Sequence, residues 1–198
     1  TCLVNEAVAR GYEVTGFVRN AHKIANSKAK TVVKDLFDIT ADDLKEFDVV
    51  IDAFGAWTEK TLPLHITSLQ HLCDLLSNTK IRLLVVGGAG SLYVDPAHTV
   101  QVMDLDNFPE AFKPLAKNMG AALTELRTRN DVLWTYLSPA ADFQADGART
   151  GNILLGGEEY FVNEKGVSAI SYADYAIAMI DEIEKADHIQ KRFSVIGA

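Results

Sequence analysis

Two continuous apolar segments, residues 49–54 and 82–86, constrain the fold of this chain more than any other feature. Neither segment shows the polar alternation of a strand with one face in water, and such strands are typical of a parallel sheet covered by helices on both faces. Between them, residues 61–76 place apolar side chains at i, i+3, i+4 and i+7 after Pro63, which predicts a helix with one buried stripe. The succession of strand, helix and strand predicts an α/β fold.

Further segments continue this alternation on both sides. They are a helix at residues 1–10 that ends at the glycine cap Gly11, strands at 12–18 and 31–33, a helix at 110–128 and a strand at 132–137. We therefore expect a Rossmann-type, doubly wound parallel sheet in one domain that spans residues 1–198.

The last quarter of the chain changes character. Residues 152–155 and 160–162 are short and are separated by two glycines, which predicts a hairpin or an edge pair. Residues 171–185 open with a Ser-x-x-Asp sequence close to a capping box and predict a helix, and residues 193–196 predict a final strand. We expect a small segment on the substrate side around residues 140–175.

Composition limits the class of protein. With 198 residues, 48% of them hydrophobic, the chain is long enough for one sizeable core, and disorder is excluded for most of its length. Its 19 Lys and Arg against 27 Asp and Glu give a net charge of −8, which repels the phosphate backbone of a nucleic acid. Cys2 and Cys73 cannot form a disulfide framework, and no apolar run approaches the roughly 20 residues of a membrane helix. We expect a cytoplasmic monomer or homodimer without nucleic-acid or membrane partners.

The histidines predict no metal site. All five are scattered along the chain, and His65 and His71 are six residues apart on one predicted helix, so they do not share a face. No Cys-x-x-Cys pair is present. We therefore predict that the protein holds no metal ion.

Candidate cofactor-binding residues follow the predicted strands, because open parallel sheets bind ligands at the carboxyl ends of their strands. Arg19 follows the strand at residues 12–18, where a dinucleotide fold presents the side chain that selects its cofactor. An acid there would accept the ribose hydroxyls of NAD, whereas a guanidinium offers a planar fork of donors to the 2′-phosphate of NADP. Position alone leaves open an arginine that merely ends a strand in solvent.

The glycine-rich segment at residues 87–91 superficially suggests a phosphate loop. No helix begins directly after it, and it has no lysine at Walker spacing. A close approach of the backbone to a ligand at Gly87 and Gly88 explains it better. The dinucleotide-binding loop is expected before Thr1, so we expect the first strand and the glycine-rich loop to be missing from this chain.

Several segments occur in an order and spacing that point to one family. They are Glu6-Ala7-x-x-Arg10-Gly11-Tyr12-Glu13-Val14, Val18-Arg19-Asn20, LVVGGAG at 84–90, WTY-x-SP at 134–139, residues 149–157 and Ile170-Ser171-x-x-Asp174-Tyr175-Ala176. Together they resemble the atypical short-chain dehydrogenase/reductase group, and more narrowly the bacterial NAD(P)H-binding proteins labelled NADH-flavin reductases, relatives of the biliverdin reductase B type.

The resemblance implies a set of cofactor contacts. In that arrangement Arg19 contacts the adenosine phosphate. The other residues that would contact the cofactor are Asp35 and Leu36 at the adenine, Phe54 and Gly55 along the ribose, and Gly87, Gly88, Ser138, Pro139 and Ala140 around the nicotinamide. Phe143 follows the Ser138-Pro139 turn and could cover the nicotinamide. For Asp35 a solvated turn aspartate is the alternative.

The chain lacks the acid that dehydrogenases of the larger superfamily use. Their Tyr-x-x-x-Lys pair protonates a carbonyl oxygen, and none of the six tyrosines here is followed four residues later by lysine. Hydride transfer to FMN, another flavin or a quinone needs less help, because the ring of the acceptor delocalises the negative charge. Ser91, Lys113 and Lys117 are the remaining catalytic candidates, and the two lysines could equally be solvated residues of a helix face.

Three functional hypotheses follow. The first is an NAD(P)H-dependent oxidoreductase that transfers hydride, with NADP favoured over NAD, to a small-molecule acceptor such as a flavin or quinone. The second is an NADP-sensing regulatory protein of the NmrA-like kind, without catalysis. The third, a methyltransferase on a related sheet, predicts an acid where Arg19 stands, so the sequence counts against it.

Overall fold

The computed structural model describes residues 1–198, the whole of the sequence. None of its five helices combines the length and the apolarity that crossing a bilayer requires. In chain order the helices and strands are α1 (Cys2–Ala9), β1 (Thr15–Val18), β2 (Lys30–Val33), α2 (Ala41–Leu44), β3 (Val49–Asp52), α3 (Leu64–Leu76), β4 (Arg82–Val86), α4 (Lys113–Leu126), β5 (Leu133–Ser138), β6 (Asp142–Gln144), β7 (Ile153–Gly156), β8 (Ala169–Ser171), α5 (Tyr172–Lys185) and β9 (Lys191–Gly197).

Five strands form the central sheet in the order β3-β4-β5-β9-β7. The first four run parallel to their neighbours, and β7 runs antiparallel beside β9 at one edge. The continuous apolar segment at residues 82–86 forms β4, in the interior of this sheet. The predicted α/β fold with a mainly parallel sheet is confirmed.

Helices cover both faces of the central sheet, as the pattern of β4 requires. Successive side chains of a strand point to opposite faces. Leu83 and Val85 pack into a cluster with residues of α3 and α4, whereas Leu84 packs into a second cluster with Met179 of α5. Burying one such leucine contributes roughly 1.5–3 kcal/mol. The two clusters fix the sheet between two helical layers.

Capping interactions set the ends of the helices on the second face. Helix α1 is followed by Gly11, whose φ of 87° ends the helix as the glycine cap predicts. The hydroxyl of Ser171 accepts a hydrogen bond of 2.9 Å from the backbone N–H of Asp174, which confirms the predicted cap of α5. Arg10 donates at 2.6 Å to Asp181 and thereby joins α1 to α5.

Two further pairs of strands lie outside the central sheet. β1 pairs in parallel with β2, and Thr15 stands opposite Lys30. β6 pairs in parallel with β8, and Asp142 stands opposite Ala169. The pattern predicted β1 and β2, but it did not predict β6 and β8, which have three residues each.

The hairpin predicted from residues 152–155 and 160–162 is wrong. Strand β7 forms, but it pairs with β9, and residues 160–162 form no strand. The edge of β9 supplies the hydrogen bonds of β7 over four residue pairs. The backbone N–H of Tyr160 instead donates at 2.8 Å to the carbonyl of Tyr93, so this segment is bound to the loop after β4.

Candidate active site at the carboxyl edge of the sheet

The carboxyl ends of β3, β4 and β5 lie side by side. Asp52 stands opposite Val85, and Val86 stands opposite Leu137, so the three parallel strands end at a common edge. The candidate residues after each strand therefore come together there. They are Phe54 and Gly55 after β3, Gly87 and Gly88 after β4, and Ser138, Pro139 and Ala140 at the end of β5.

The Gly87–Gly88 turn is held from beneath by β5. Gly87 donates its backbone N–H at 2.9 Å to the carbonyl of Leu137, and Gly88 donates at 3.3 Å to the hydroxyl of Tyr136. A Cβ atom at Gly87 would lie 2.2 Å from the ring of Tyr136, so only glycine fits. At Gly88 the nearest atom would be the sulfur of Met119, at 3.2 Å. Packing inside the protein thus explains glycine at 87.

Ser91 is part of a buried anchor. Its hydroxyl accepts a hydrogen bond of 3.0 Å from Arg192 of β9, and its carbonyl accepts another of 2.8 Å. Arg192 also donates to the carbonyl and carboxylate of Glu158, and its guanidinium lies 5.6 Å from the centre of the Tyr93 ring. These contacts give Ser91 a structural task, the attachment of the loop after β4 to β9.

The two lysine candidates lie at the start and in the second turn of α4. The ammonium of Lys113 is 2.5 Å from the carboxylate of Glu110, and Lys117 is exposed without an ion pair. The structure therefore brings neither lysine into a buried, desolvated position, which is where a lysine becomes an effective acid or base.

Arg19 and Asp35 lie at the ends of the paired strands β1 and β2. The side chain of Arg19 is exposed and forms no ion pair or hydrogen bond within the chain. Asp35 accepts a hydrogen bond of 3.0 Å from the backbone N–H of Phe37, which is turn chemistry, and Leu36 packs half-buried against the first core cluster. Arg19 is thus an exposed guanidinium with all its donors free.

The loop after β3 carries aromatic side chains. The ring of Phe54 lies edge-on to His65 at 5.5 Å, and the imidazole Nε2 of His65 lies 3.1 Å from the carbonyl of Ala56. The indole of Trp57 lies over Gly55, where a Cβ would be 3.3 Å from its nitrogen, and Trp57 is 73% exposed. His65 therefore fixes this loop against α3.

The candidates after β5 are more enclosed than those after β3. Ser138, Pro139 and Ala140 are buried, and the hydroxyl of Ser138 has no hydrogen-bond partner. Phe143 of β6 packs against Tyr172 and Tyr175 at ring distances of 4.2 and 4.8 Å. The side chain of Phe143 is thus partly buried and packs against the second core cluster.

A buried polar group beneath this edge escaped the sequence analysis. Asp52, His65, Ser68 and Tyr136 line one small cavity together with apolar residues. Burial raises the pKa of the Asp52 carboxyl, and it raises the pKa of the Tyr136 hydroxyl to about 12. The signal in the sequence was the spacing of His65 and Ser68, which are three residues apart and so share a face of α3.

Other parts of the molecule are less suited to a cofactor. A surface groove of about 420 Å³ runs between α3 and α4, but its polar side chains pair with one another, for example Gln70 with Glu125 and Arg129 with Asp74. No group of three or more His, Cys, Asp and Glu side chains converges in a way that could hold a metal ion. The strand ends remain the only place where the candidates of separate strands meet.

A doubly wound sheet with its candidate site at the carboxyl ends of the strands defines the class, a Rossmann-type nucleotide-binding protein. Within that class, the chain belongs to the NAD(P)H-binding family, whose model matches residues 1–183. The predicted family and fold are thereby confirmed.

Its relatives align over almost their whole length. The chain is 46% identical over 196 residues to the uncharacterized protein YwnB of Bacillus subtilis (strain 168), with 98% of this chain and 92% of that protein covered. A "putative NADH-flavin reductase" from Streptococcus pneumoniae TIGR4 is 51% identical, with a TM-score of 0.96 over 100% of this chain and 93% of that one. A "putative epimerase" from Bacteroides thetaiotaomicron is 37% identical, with a TM-score of 0.86 over 99% and 90%.

Proposed function

We propose that the protein is an NADPH-dependent oxidoreductase that passes hydride to a flavin or a quinone-like acceptor. One observation carries this proposal: none of the catalytic candidates Ser91, Lys113 and Lys117 is placed to donate a proton to a substrate at the strand edge. Ser91 is bound to Arg192, and burial raises the pKa of Tyr136 to about 12. An acceptor whose ring delocalises the added charge needs no such donor.

The family match and the similarity to a flavin reductase support this chemistry. NADPH, when bound, supplies the hydride, and an oxidised flavin or quinone accepts it and afterwards takes a proton from water. The chain contributes by holding the two rings in contact, which is the positioning component of catalysis.

The proposed cofactor path runs along the carboxyl edge from β2 to β5. The free guanidinium of Arg19 fits the doubly charged 2′-phosphate of NADPH. Asp35 and Leu36 flank the adenine, Phe54 and Gly55 the ribose, and Gly87, Gly88 and residues 138–140 the nicotinamide. The segment around residues 140–175, with Phe143, lies on the acceptor side.

Turnover tests the proposal directly. The purified protein is incubated with NADPH and, in separate reactions, FMN, riboflavin and a quinone, and the loss of NADPH absorbance is followed against reactions without protein. We expect steady oxidation of NADPH with at least one acceptor. Measurable binding of NADPH without oxidation by any acceptor would contradict the proposal and would favour the NADP-sensing, NmrA-like function.

A further inference from the structure

A small cavity is lined by Tyr136, the residue whose hydroxyl accepts from Gly88 of the turn. It has a volume of about 20 Å³ and lies between α3, α4 and the ends of β3, β4 and β5. A water molecule requires roughly 10–15 Å³ of such space, so the cavity has room for one water. Its apolar lining includes Leu69, Val85, Met119 and Ala122.

Three polar side chains face this space with unused hydrogen-bonding capacity. Ser68 is 1% exposed, and its hydroxyl has no partner in the protein. The hydroxyl of Tyr136 accepts from Gly88, but its own O–H group donates to no protein atom. Asp52 uses one carboxylate oxygen to accept from the backbone N–H of Phe54 at 2.9 Å. Buried hydroxyls without partners are uncommon because they lose their hydration without replacement.

We propose that one internal water molecule binds between the hydroxyls of Ser68 and Tyr136 and the carboxyl of Asp52, and that Tyr136 is a positioning residue for the Gly87–Gly88 turn. The water accepts from the two hydroxyls and donates to the carboxyl. That gives it three partners, the usual number for a buried water. The space thus offers three polar partners and is of the right size for one water.

The water fixes the orientation of the Tyr136 hydroxyl. With its hydrogen directed to the water, the oxygen of Tyr136 keeps its lone pairs toward the backbone N–H of Gly88. Gly87 is held at the same time by the carbonyl of Leu137 and by the ring of Tyr136, which leaves no room for a Cβ. Both residues of the turn are therefore held from below, and their outer surface keeps one shape.

Held in this way, the turn presents a preformed surface to a planar ligand. This part of the inference rests on the proposed function, because it takes the nicotinamide ring as that ligand. Preorganised contacts improve affinity because little ordering remains to be done when the ligand binds. Loss of the Tyr136 hydroxyl should therefore weaken NADPH binding even though Tyr136 itself is buried beneath the turn.

Diffraction tests the water site independently of any cofactor. High-resolution crystal structures of the wild-type protein and of Ser68→Val are compared. We expect a water within hydrogen-bond distance of Ser68, Tyr136 and Asp52 in the wild type, and none in Ser68→Val, whose added methyl group occupies the cavity. An empty wild-type cavity, or a direct hydrogen bond from Tyr136 to Asp52, would overturn the proposed water site.

Affinity tests the positioning role. Tyr136→Phe is compared with Thr135→Val, a control that also loses a buried hydroxyl of β5, one that donates to the carbonyl of His188 and not to the turn. The loss of one net hydrogen bond corresponds to about a tenfold change in affinity. We expect the Kd and the KM for NADPH to rise about tenfold in Tyr136→Phe, with a smaller change in kcat, and both constants to change little in Thr135→Val.

Two other results are informative. Equal affinities for NADPH in Tyr136→Phe and Thr135→Val would overturn the positioning role. A wild-type protein that binds no NADPH would reject the proposed function together with the positioning role, whereas the diffraction result would still decide the water site.

Discussion

At the scale of single residues, Gly87 and Arg19 at the strand ends differ in what explains the residue type. Gly87 is required because Tyr136 and Leu137 fill the space where a Cβ would lie, at 2.2 and 2.8 Å. Arg19 has the opposite surroundings, since its side chain is exposed and has no partner in the chain. A packing requirement explains the glycine, and only a ligand would give the arginine an interaction.

The first prediction concerns Arg19. Arg19→Ala should weaken NADPH binding by roughly 1.5–3 kcal/mol, the usual contribution of a charge-assisted hydrogen bond, and should change NADH binding little. Isothermal titration with both cofactors measures the two losses, and Lys23→Ala, which removes a nearby exposed charge, is the control. Equal losses for NADPH and NADH would reject Arg19 as the selecting residue.

The second prediction separates the two glycines of the turn. Gly87→Ala should lower the free energy of unfolding by about 1–3 kcal/mol or more, because its Cβ collides with the ring of Tyr136. Gly88→Ala should be milder, because the flexible Met119 side chain can move away. Urea unfolding of both variants measures the difference, and similar losses in the two would contradict the packing explanation.

At the scale of elements, the start of α5 organises the loop that precedes β7. The buried carboxylate of Asp174 accepts from the backbone N–H groups of Thr150 and Gly151, both at 2.9 Å, and from the Thr150 hydroxyl at 2.7 Å. Ser171 caps the same helix. One helix end thus fixes both its own first turn and a distant loop.

The third prediction concerns this helix end. Asp174→Ala should lower the free energy of unfolding by roughly 2–4 kcal/mol, because it removes a buried carboxylate that accepts from two backbone N–H groups and one hydroxyl. Asp95→Ala is the matched control, since Asp95 makes similar bonds to Thr99 and Val100 at an exposed turn. Chemical denaturation should show a much smaller loss of unfolding free energy in Asp95→Ala. Comparable losses in the two variants would show that burial of the Asp174 carboxylate is not what makes its hydrogen bonds important.

Elements differ in how far sequence predicts them. β4 was predicted at its full length because the four successive apolar residues after Arg82 have no stable alternative to burial. β6 and β8 were missed because each contains three residues, and only pairing across a gap of 24 residues between Gln144 and Ala169 stabilises them. The hairpin failed for a similar reason, because the edge of β9 offered β7 a better partner.

The candidate site also has a part that the sequence predicts and a part that it does not. The strand ends were predictable because parallel strands must end at one edge, and this placed Phe54, Gly87 and Ser138 together. The polar cavity was not predictable, because Ser68 reaches Tyr136 only through the packing of α3 and α4 on the sheet. The spacing of His65 and Ser68 places both on one face of α3, but only tertiary packing brings Asp52 and Tyr136 to that face.

At the scale of the whole molecule, the pKa of the Asp52 carboxyl is shifted upward, whereas the pKa values of the other shifted carboxyl groups are lowered. Hydrogen bonds from Lys34 and Thr40 lower the pKa of Asp43 to about 2, whereas burial raises the pKa of Asp52. A lowered pKa adds stability that is lost as the pH falls through it. A raised pKa has the opposite sign, because stability is lost as the pH rises from the unfolded value, near 3.9, through the folded value.

The fourth prediction follows from this sign. Asp52→Asn keeps an acceptor for the N–H of Phe54 but removes the buried charge, so the variant should be more stable than the wild type at neutral pH. The advantage should vanish as the pH falls below about 4, where Asp52 is protonated in both states. Urea unfolding of both proteins between about pH 3 and about pH 8 measures this difference in stability. A stability advantage of Asp52→Asn that does not depend on pH would contradict the explanation.

A crystal structure of the protein with bound NADP⁺ tests the central claim most directly, because the account commits the cofactor to one edge of the sheet. The 2′-phosphate should lie within hydrogen-bond distance of the guanidinium of Arg19. The nicotinamide ring should lie against the Gly87–Gly88 turn, facing the end of β5. A cofactor bound in the groove between α3 and α4, or with its 2′-phosphate away from Arg19, would contradict the account.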